Sequence, residues 1–546
     1  MNSVVNLKKL TIPLLINDSI KKFPENIALS FVSGSGYTYK QLGEEIDRVQ
    51  KQLRLLGIDK GDKVSILSIN NPNWGVAYLA ILGMGAVAVA LLPDFNAKEI
   101  KNILEHSEAK AIFCSDALMY KVTGAQAIEI PILMKLDDFS VVYATRIESV
   151  RPGVSLADVE PDDLASIIYT SGTTGRSKGV MLSQNNLAYD SVLCQRIQYI
   201  GPNDRMLSVL PLSHAYENTL GLILPLSGGG AVYYPGKPAT ASVLLPALKK
   251  VRPTIMLTVP LIIEKIFRSS ILPTLTKNKV VASLYKVAPI RKILHKVAGK
   301  KLYATFGGEL KFFGIGGSKV DPQVEKFLYE GGFPYAIGYG LTETSPMICG
   351  FGPKEARLYS AGTKVDDMEL IIHDPNPVTG EGEIWARGPV VMQGYYKEPE
   401  LTKEVITKDG WFRTGDIGIF DKKNVLFIKG RIKNVIIGSS GENIYPEEIE
   451  SVINSNAFVT ESLVVEENGK LVAKVHLNVD KIRAQYQEMI DRSSNTLQEK
   501  MDEMLAELQI FVNDHVSKFS RLNKMVLQEV PFERTATQKI KRYLYM

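Results

Sequence analysis

Short apolar runs (KVSILSI, AVAVALLP, AIFC and SIIYT) recur between longer amphipathic stretches up to about residue 430, and this rhythm limits the folds open to the chain. Runs that are apolar on both faces suit strands buried inside a parallel sheet, and each parallel neighbour needs a helical crossover to return the chain. The densest case is 64–93, which contains no charged residue. Its length would span a bilayer. Asn70, Asn71, Pro72 and Asn73 interrupt it, however, and Gly83 and Gly85 divide the remainder into a helix-like AYLAIL and a strand-like AVAVALL. We read a buried helix followed by a strand of an α/β core.

Further along, HDPNPVTGEGEIWARGPV reads as turn-rich β structure, a smaller unit placed before residue 430. The texture changes after GRIKN. Two strands, ESLVVEE and LVAKVHLNV, precede a helical segment at 481–518, in which Leu497, Met501, Met504, Leu508 and Phe511 mark one apolar face. Packing onto its own domain is the expectation for that face; contact with a membrane surface is the rival reading.

A chain of 546 residues with 45% hydrophobic content is long enough for two to four domains. Its 64 basic and 59 acidic residues are interspersed and nearly cancel to +5, so nothing demands a nucleic-acid partner. Cys114, Cys194 and Cys349 stand far apart, which argues against a disulfide framework or zinc ribbon and for a reducing cytoplasm. The opening MNSVVNLKKLTIPLLINDSI lacks the pattern of a cleavable signal.

The chemistry concentrates at 169–179, YTSGTTGRSKG, directly after an apolar strand. Gly172, Gly175 and Gly179 let the backbone turn its N–H groups inward. Thr170, Ser171, Thr173 and Thr174 add hydroxyls, and Lys178 adds charge, a composition suited to wrapping phosphates. A Walker A loop would need glycine where Ser177 stands. Taken alone, such a turn is more often just a flexible loop.

The order of residues closely resembles the signature T-S-G-[ST]-[ST]-G-x-x-K-G of the adenylate-forming superfamily of acyl-CoA synthetases, adenylation domains and luciferases. Companion motifs follow in order. PLSHAYE resembles the segment that sets His214 beside the reacting carboxylate. FGIGGSKV, with Gly316, Gly317 and Ser318, resembles the strand and turn that carry adenine. In GYGLTETSP the resemblance implies that Tyr339 stacks on adenine with Gly340 beside it, that Thr342 reaches the α-phosphate, and that Glu343 holds Mg²⁺ together with Thr170. WFRTGDIG supplies Asp416 and GRIKN supplies Arg431, both for ribose, and Lys433 falls at the family's hinge position. PFERTATQKIKRYLY places Lys539 where the family has its catalytic lysine, with Gln538 replacing the usual glycine and Lys541 as a competitor two residues away.

The fold implied is α/β: a large N-terminal domain (1–430) of two α/β subdomains plus a β-rich subdomain, and a small mobile α+β C-terminal domain (431–546). The resemblance implies two half-reactions. A carboxylate attacks ATP, with Mg²⁺ as cofactor, to give an acyl-AMP; a thiol then displaces AMP after rotation about Lys433 brings Gly441 and Glu442 forward. The acid-facing segments 210–230 and 335–350 are apolar and carry only Glu217 and Glu343 as charges, so an apolar acid is expected. The whole is most similar to long-chain fatty-acid CoA ligases, with CoA as acceptor. An acyl carrier protein as acceptor, an aryl acid as substrate and a nonenzymatic nucleotide sensor are the alternatives.

Overall fold

The computed structural model describes residues 10–124, 128–145, 158–171, 177–276, 278–438, 442–492, 497–535 and 539–546. The charge-free stretch is a strand–helix–strand unit. Strand Lys63–Leu67 is followed by helix Pro72–Gly83 and strand Val87–Leu91, whose two strands pair in parallel from Lys63↔Val87 to Leu67↔Leu91. The asparagines and proline that break the apolar run start the helix. The Asn71 side chain accepts from the Trp74 N–H at 2.9 Å, and Pro72 occupies the first turn, where no N–H is needed. The helix is buried all round because it is clamped between two sheets: a Cβ on Gly75 would sit 2.7 Å from Leu29 of the facing sheet.

One of those sheets has eight strands and the other nine. Each has a parallel core with antiparallel strands at its margins, as expected for two α/β units. A four-stranded antiparallel sheet, Glu369–His373, Gly382–Arg387, Phe412–Phe420 and Leu426–Arg431, forms the β-rich unit. Beyond it, strands Val459–Glu467, Lys470–Leu477 and Lys524–Leu527 make a three-stranded sheet with its own core.

The segment expected as one long helix is described as two, Val479–Arg492 and Leu497–His515, on either side of 493–496, which lie outside the described residues. Met501, Leu505, Leu508 and Val512 are buried in the C-terminal core and Leu497 and Met504 pack against it, so most of the apolar face at 497–511 is spent on its own domain, while Phe511 stays 44% exposed. Among the described residues no helix is long and apolar enough to cross a membrane.

Candidate functional site

Strand Leu164–Ser171 runs antiparallel to Ser177–Ser183, with Thr170 opposite Lys178 and Tyr169 opposite Gly179. Gly172, Thr173, Thr174 and Gly175, together with the side chain of Ser171, lie outside the described residues. The base of this strand pair is packed tightly. A Cβ on Gly179 would lie 2.9 Å from Ile167, and Tyr169 shares a 2.8 Å hydrogen bond with His106 Nδ1.

Two neighbouring parallel strands bring the next motifs to the same place. Phe312–Ile315 ends at Gly316 and Gly317, the latter with φ +90°, a conformation L side chains rarely adopt. Tyr335–Tyr339 ends at Gly340, where a Cβ would meet the Pro346 carbonyl oxygen at 1.7 Å. Gly317 and Ser318 are exposed, which leaves backbone open to a flat ligand. The turn Thr342–Thr344 then presents Glu343.

The β-rich unit supplies the remaining polar groups. Asp416 and Arg431 are cross-strand partners, and Arg431 Nε meets Asp416 Oδ1 at 2.9 Å. Asp416 Oδ2 accepts from the Tyr339 hydroxyl at 2.8 Å, which ties the strand expected to carry adenine to the expected ribose carboxylate. Burial raises the Asp416 carboxyl above its ordinary value, and Arg431 opposes that rise.

Lys539 comes to this cleft from the far end of the chain. Its N–H donates to Thr535 Oγ1 at 3.2 Å and its carbonyl accepts from the Thr535 N–H at 2.8 Å, closing a narrow loop. The tip of that loop, including Gln538, lies outside the described residues. Burial, then Arg431, lower the Lys539 ammonium's pKa, while Asp416 and Glu343 pull it up. Burial and Lys539 together push His214 down to about 4. Four residues spread over 214–431 therefore feel the charge of Lys539. Lys541 pairs instead with Glu533 at 3.4 Å, which separates the two competing lysines.

Thr342 is half-buried beside Glu343. Lys433 is exposed in the short helical turn Ile432–Asn434, directly after Arg431. Glu442 is described, its carbonyl accepting from the Gly438 N–H at 2.8 Å, whereas Gly441 lies outside the described residues.

The structure adds one residue that the sequence did not mark, Tyr395, and revises the charge expected of another, Glu217. Tyr395 donates to Glu343 Oε1 at 2.8 Å, and its ring lies 5.0 Å from Lys178 Nζ, so one side chain spans both halves of the phosphate end. Nothing in GYYK marks it; only the pairing of Gly394–Tyr395 with Ser177–Ser183 brings it there. Glu217, counted as a pocket charge, is fully buried. Neither of its oxygens meets a partner at hydrogen-bonding geometry, though the Ser208 hydroxyl and Val209 amide lie near, and burial pushes its carboxyl up to about 8. It is thus uncharged at neutral pH, and the pocket side of the site is more apolar than the sequence count implied.

The donor set near Glu343 is oxygen only. With one Glu343 oxygen taken by Tyr395, the other carboxylate oxygen remains; together with the hydroxyl that the resemblance assigns to Thr170 it would fit a hard cation that keeps most of its shell in water and phosphate oxygens. Among the described residues no cluster of three or more His, Cys, Asp or Glu could hold a metal on its own.

A family model described as AMP-binding enzyme matches residues 16–396. The long-chain-fatty-acid--CoA ligase heimdall of Drosophila melanogaster is 29% identical over 81% of this chain and 72% of its own length. The peroxisomal long chain acyl-CoA synthetase 7 of Arabidopsis thaliana is 30% identical over 81% and 69%. The chloroplastic long-chain-fatty-acid--[acyl-carrier-protein] ligase AEE15 of the same plant is 29% identical over 78% and 70%. Among solved structures, the O-succinylbenzoate coenzyme A synthetase of Bacillus subtilis in complex with AMP superposes with TM-score 0.75 over 97% of both chains at 23% identity, a likeness of fold. With the family model spanning well over half of the chain, the protein belongs to the AMP-binding, adenylate-forming enzymes.

Proposed function

We propose that the protein uses ATP to activate a medium- to long-chain fatty acid, passing through an acyl-AMP to an acyl-CoA thioester and releasing pyrophosphate and AMP. The observation that supports this reading is the electrostatic coupling of Lys539, from the far end of the chain, to His214, Glu343, Asp416 and Arg431. In the first step the substrate carboxylate attacks the α-phosphorus and the bond to pyrophosphate breaks. Both partners are anions, so the barrier is largely repulsion and alignment. Lys539 and Lys178 would offset the charge, Thr342 would reach the α-phosphate, and Asp416 with Arg431 would fix the ribose hydroxyls. Thr170 and Glu343 would hold Mg²⁺, which when bound neutralises phosphate charge. His214 stays neutral beside the carboxylate and so adds no fixed charge there.

The thiol step then requires Lys539 to leave. We assign 1–430 and 431–546 to two domains that rotate about Lys433, exchanging Lys539 for the 441–442 loop. The fatty-acid reading is supported by the named substrates of the plant and insect relatives and by an apolar pocket side in which Glu217 is neutral. The carrier-protein ligase among those relatives makes acyl carrier protein the second reading for the acceptor. Free, buried cysteines are in keeping with a reducing cytoplasm.

Acid-dependent ATP–pyrophosphate exchange across acids of graded chain length, followed by thioester formation on CoA and on holo-carrier protein, tests the proposal. No exchange with any fatty acid would overturn it, and thioester on the carrier alone would move the acceptor.

A further inference from the structure

The near balance of charge conceals one local exception. Between residues 265 and 308 there are ten Lys and Arg and no Asp or Glu, while the rest of the chain holds 54 basic against 59 acidic residues. The chain's net positive charge therefore resides in this one segment. Its described part begins in the short helical elements Pro260–Ile266, Phe267–Ile271 and Leu272–Leu275 and continues as a helical hairpin, Lys279–Tyr285 and Ala288–Thr305, all in the crossover between strands Ile255–Thr258 and Phe312–Ile315.

The second helix has two unlike faces. One packs inward: His295, Gly299 and Leu302 are buried, His295 lies edge-on to Phe327 at 5.2 Å, and a Cβ on Gly299 would sit 2.6 Å from the Gly331 carbonyl oxygen. Helical spacing puts Pro289, Ile293, Val297, Lys300 and Ala304 on the opposite face, with Lys292, Lys296 and Lys301 at its flanks, and all eight are exposed. Ile293 and Val297 are 62% and 67% exposed, and Val280 on the first helix is 69% exposed. Arg268 and Arg291 are engaged by Asp321 and Glu330, so they belong to the fold and not to this face.

We propose that this hairpin is a docking face for an anionic phospholipid surface, with Val280, Leu284, Ile293 and Val297 entering the headgroup boundary and the flanking lysines reaching phosphates. Charge complementarity selects the partner. A patch of one sign attracts a polyanionic surface, and an aliphatic stripe between the lysines gains from lipid what it cannot gain from a nucleic-acid backbone. Lysine stems lie along apolar surface while their ammonium groups stay at phosphate level.

The placement is apt for an enzyme fed from a membrane. Helix Ala288–Thr305 runs alongside Pro322–Glu330, with His295 against Phe327 and Gly299 against Gly331, so it returns antiparallel to the strands and its N-terminal end lies toward the carboxyl edge of the sheet, the edge from which Gly317 and Gly340 turn into the site. The surface assignment does not depend on which acid is activated.

The test is flotation of the full chain with phosphatidylcholine vesicles, with and without phosphatidylglycerol, at low and high salt. Wild-type protein is expected to float only with the anionic vesicles and to be released by salt. The variant K292E/K296E/K300E should lose affinity by on the order of a hundredfold, given about fivefold per basic residue at the surface. I293S/V297S should bind more weakly while keeping its salt dependence, and both variants should retain ATP–pyrophosphate exchange on a short, soluble acid, which reports an intact fold. Absence of flotation with anionic vesicles, or flotation that neither variant alters, would overturn the proposal. So would binding that the aliphatic variant keeps in full and that duplex DNA competes away, since the face would then be a general polyanion site.

Discussion

Lys539, at the family's catalytic position, and its competitor Lys541 are two residues apart, yet only Lys539 is coupled to Arg431, Asp416, Glu343 and His214, while Lys541 is held by Glu533. Lys539→Ala should lower ATP–pyrophosphate exchange by at least about a hundredfold, the scale of removing one preorganised charge from a transition state. Thioester formation from supplied acyl-AMP should stay near wild type. Lys541→Ala should leave both within about twofold, since it loses only an exposed ion pair.

Glu217 offers a prediction with a pH sign. Burial raises its folded-state pKa from 4.5 to about 8, so between those values the folded protein holds a proton that the unfolded chain has released. Stability contributed at this site therefore falls as pH rises through that window. The neutral isostere Glu217→Gln should match wild type in chemical denaturation below about pH 4.5 and exceed it by a few kcal/mol near pH 8. A pH-independent difference would mean that Glu217 is not protonated. His214 has the opposite slope: pushed down to about 4, it costs stability as pH falls from 6.5 towards that value, and it gives no inflexion in activity near neutrality.

At the level of elements, the strand–helix–strand unit was legible because its cause is local. An uncharged run broken by Asn71 and Pro72 can only start a helix there, and the run's apolar ends can only be buried strands. The order of motifs was legible through the family resemblance and not through local pattern: Tyr339 closes its own strand, whereas Asp416 lies inside Phe412–Phe420 and Lys539 lies beyond the last strand. Tyr395 was not, because its role depends on pairing with a strand more than two hundred residues earlier, and its neighbours carry no distinctive pattern. Tyr395→Phe tests that role. Loss of the hydroxyl that orients Glu343 should raise the Mg²⁺ concentration needed for half-maximal exchange by about tenfold, the usual cost of removing a partner behind a metal ligand. The melting temperature should barely change, and an unaltered Mg²⁺ dependence would detach Tyr395 from the site. The apolar helix face at 497–511 shows the limit of periodicity: it reports that a face is covered, and only the sheet at 459–527 shows by what.

Across the whole molecule, the orientation that brings Lys539 to the cleft is held by contacts across residue 433. Arg268 donates to the Asn454 carbonyl while also pairing with Asp321, and the Tyr445 hydroxyl donates to Glu381 at 2.9 Å. Polar contacts of this kind suit the proposed opening between steps. The proposed pivot, Ile432–Asn434, is a short 3-10 turn, a conformation whose typical φ of about −60° proline can adopt. Lys433→Pro should therefore leave the orientation seen here intact while narrowing the backbone angles through which the C-terminal unit would turn. Single-turnover acyl-AMP formation should remain within a few fold of wild type, and transfer to the thiol should fall by at least about tenfold, because only the second step requires the rotation. Equal losses in the two half-reactions would place the pivot elsewhere, whereas a loss confined to thiol transfer, together with the converse defect of Lys539→Ala, would show that one polypeptide segment serves two steps by occupying two positions.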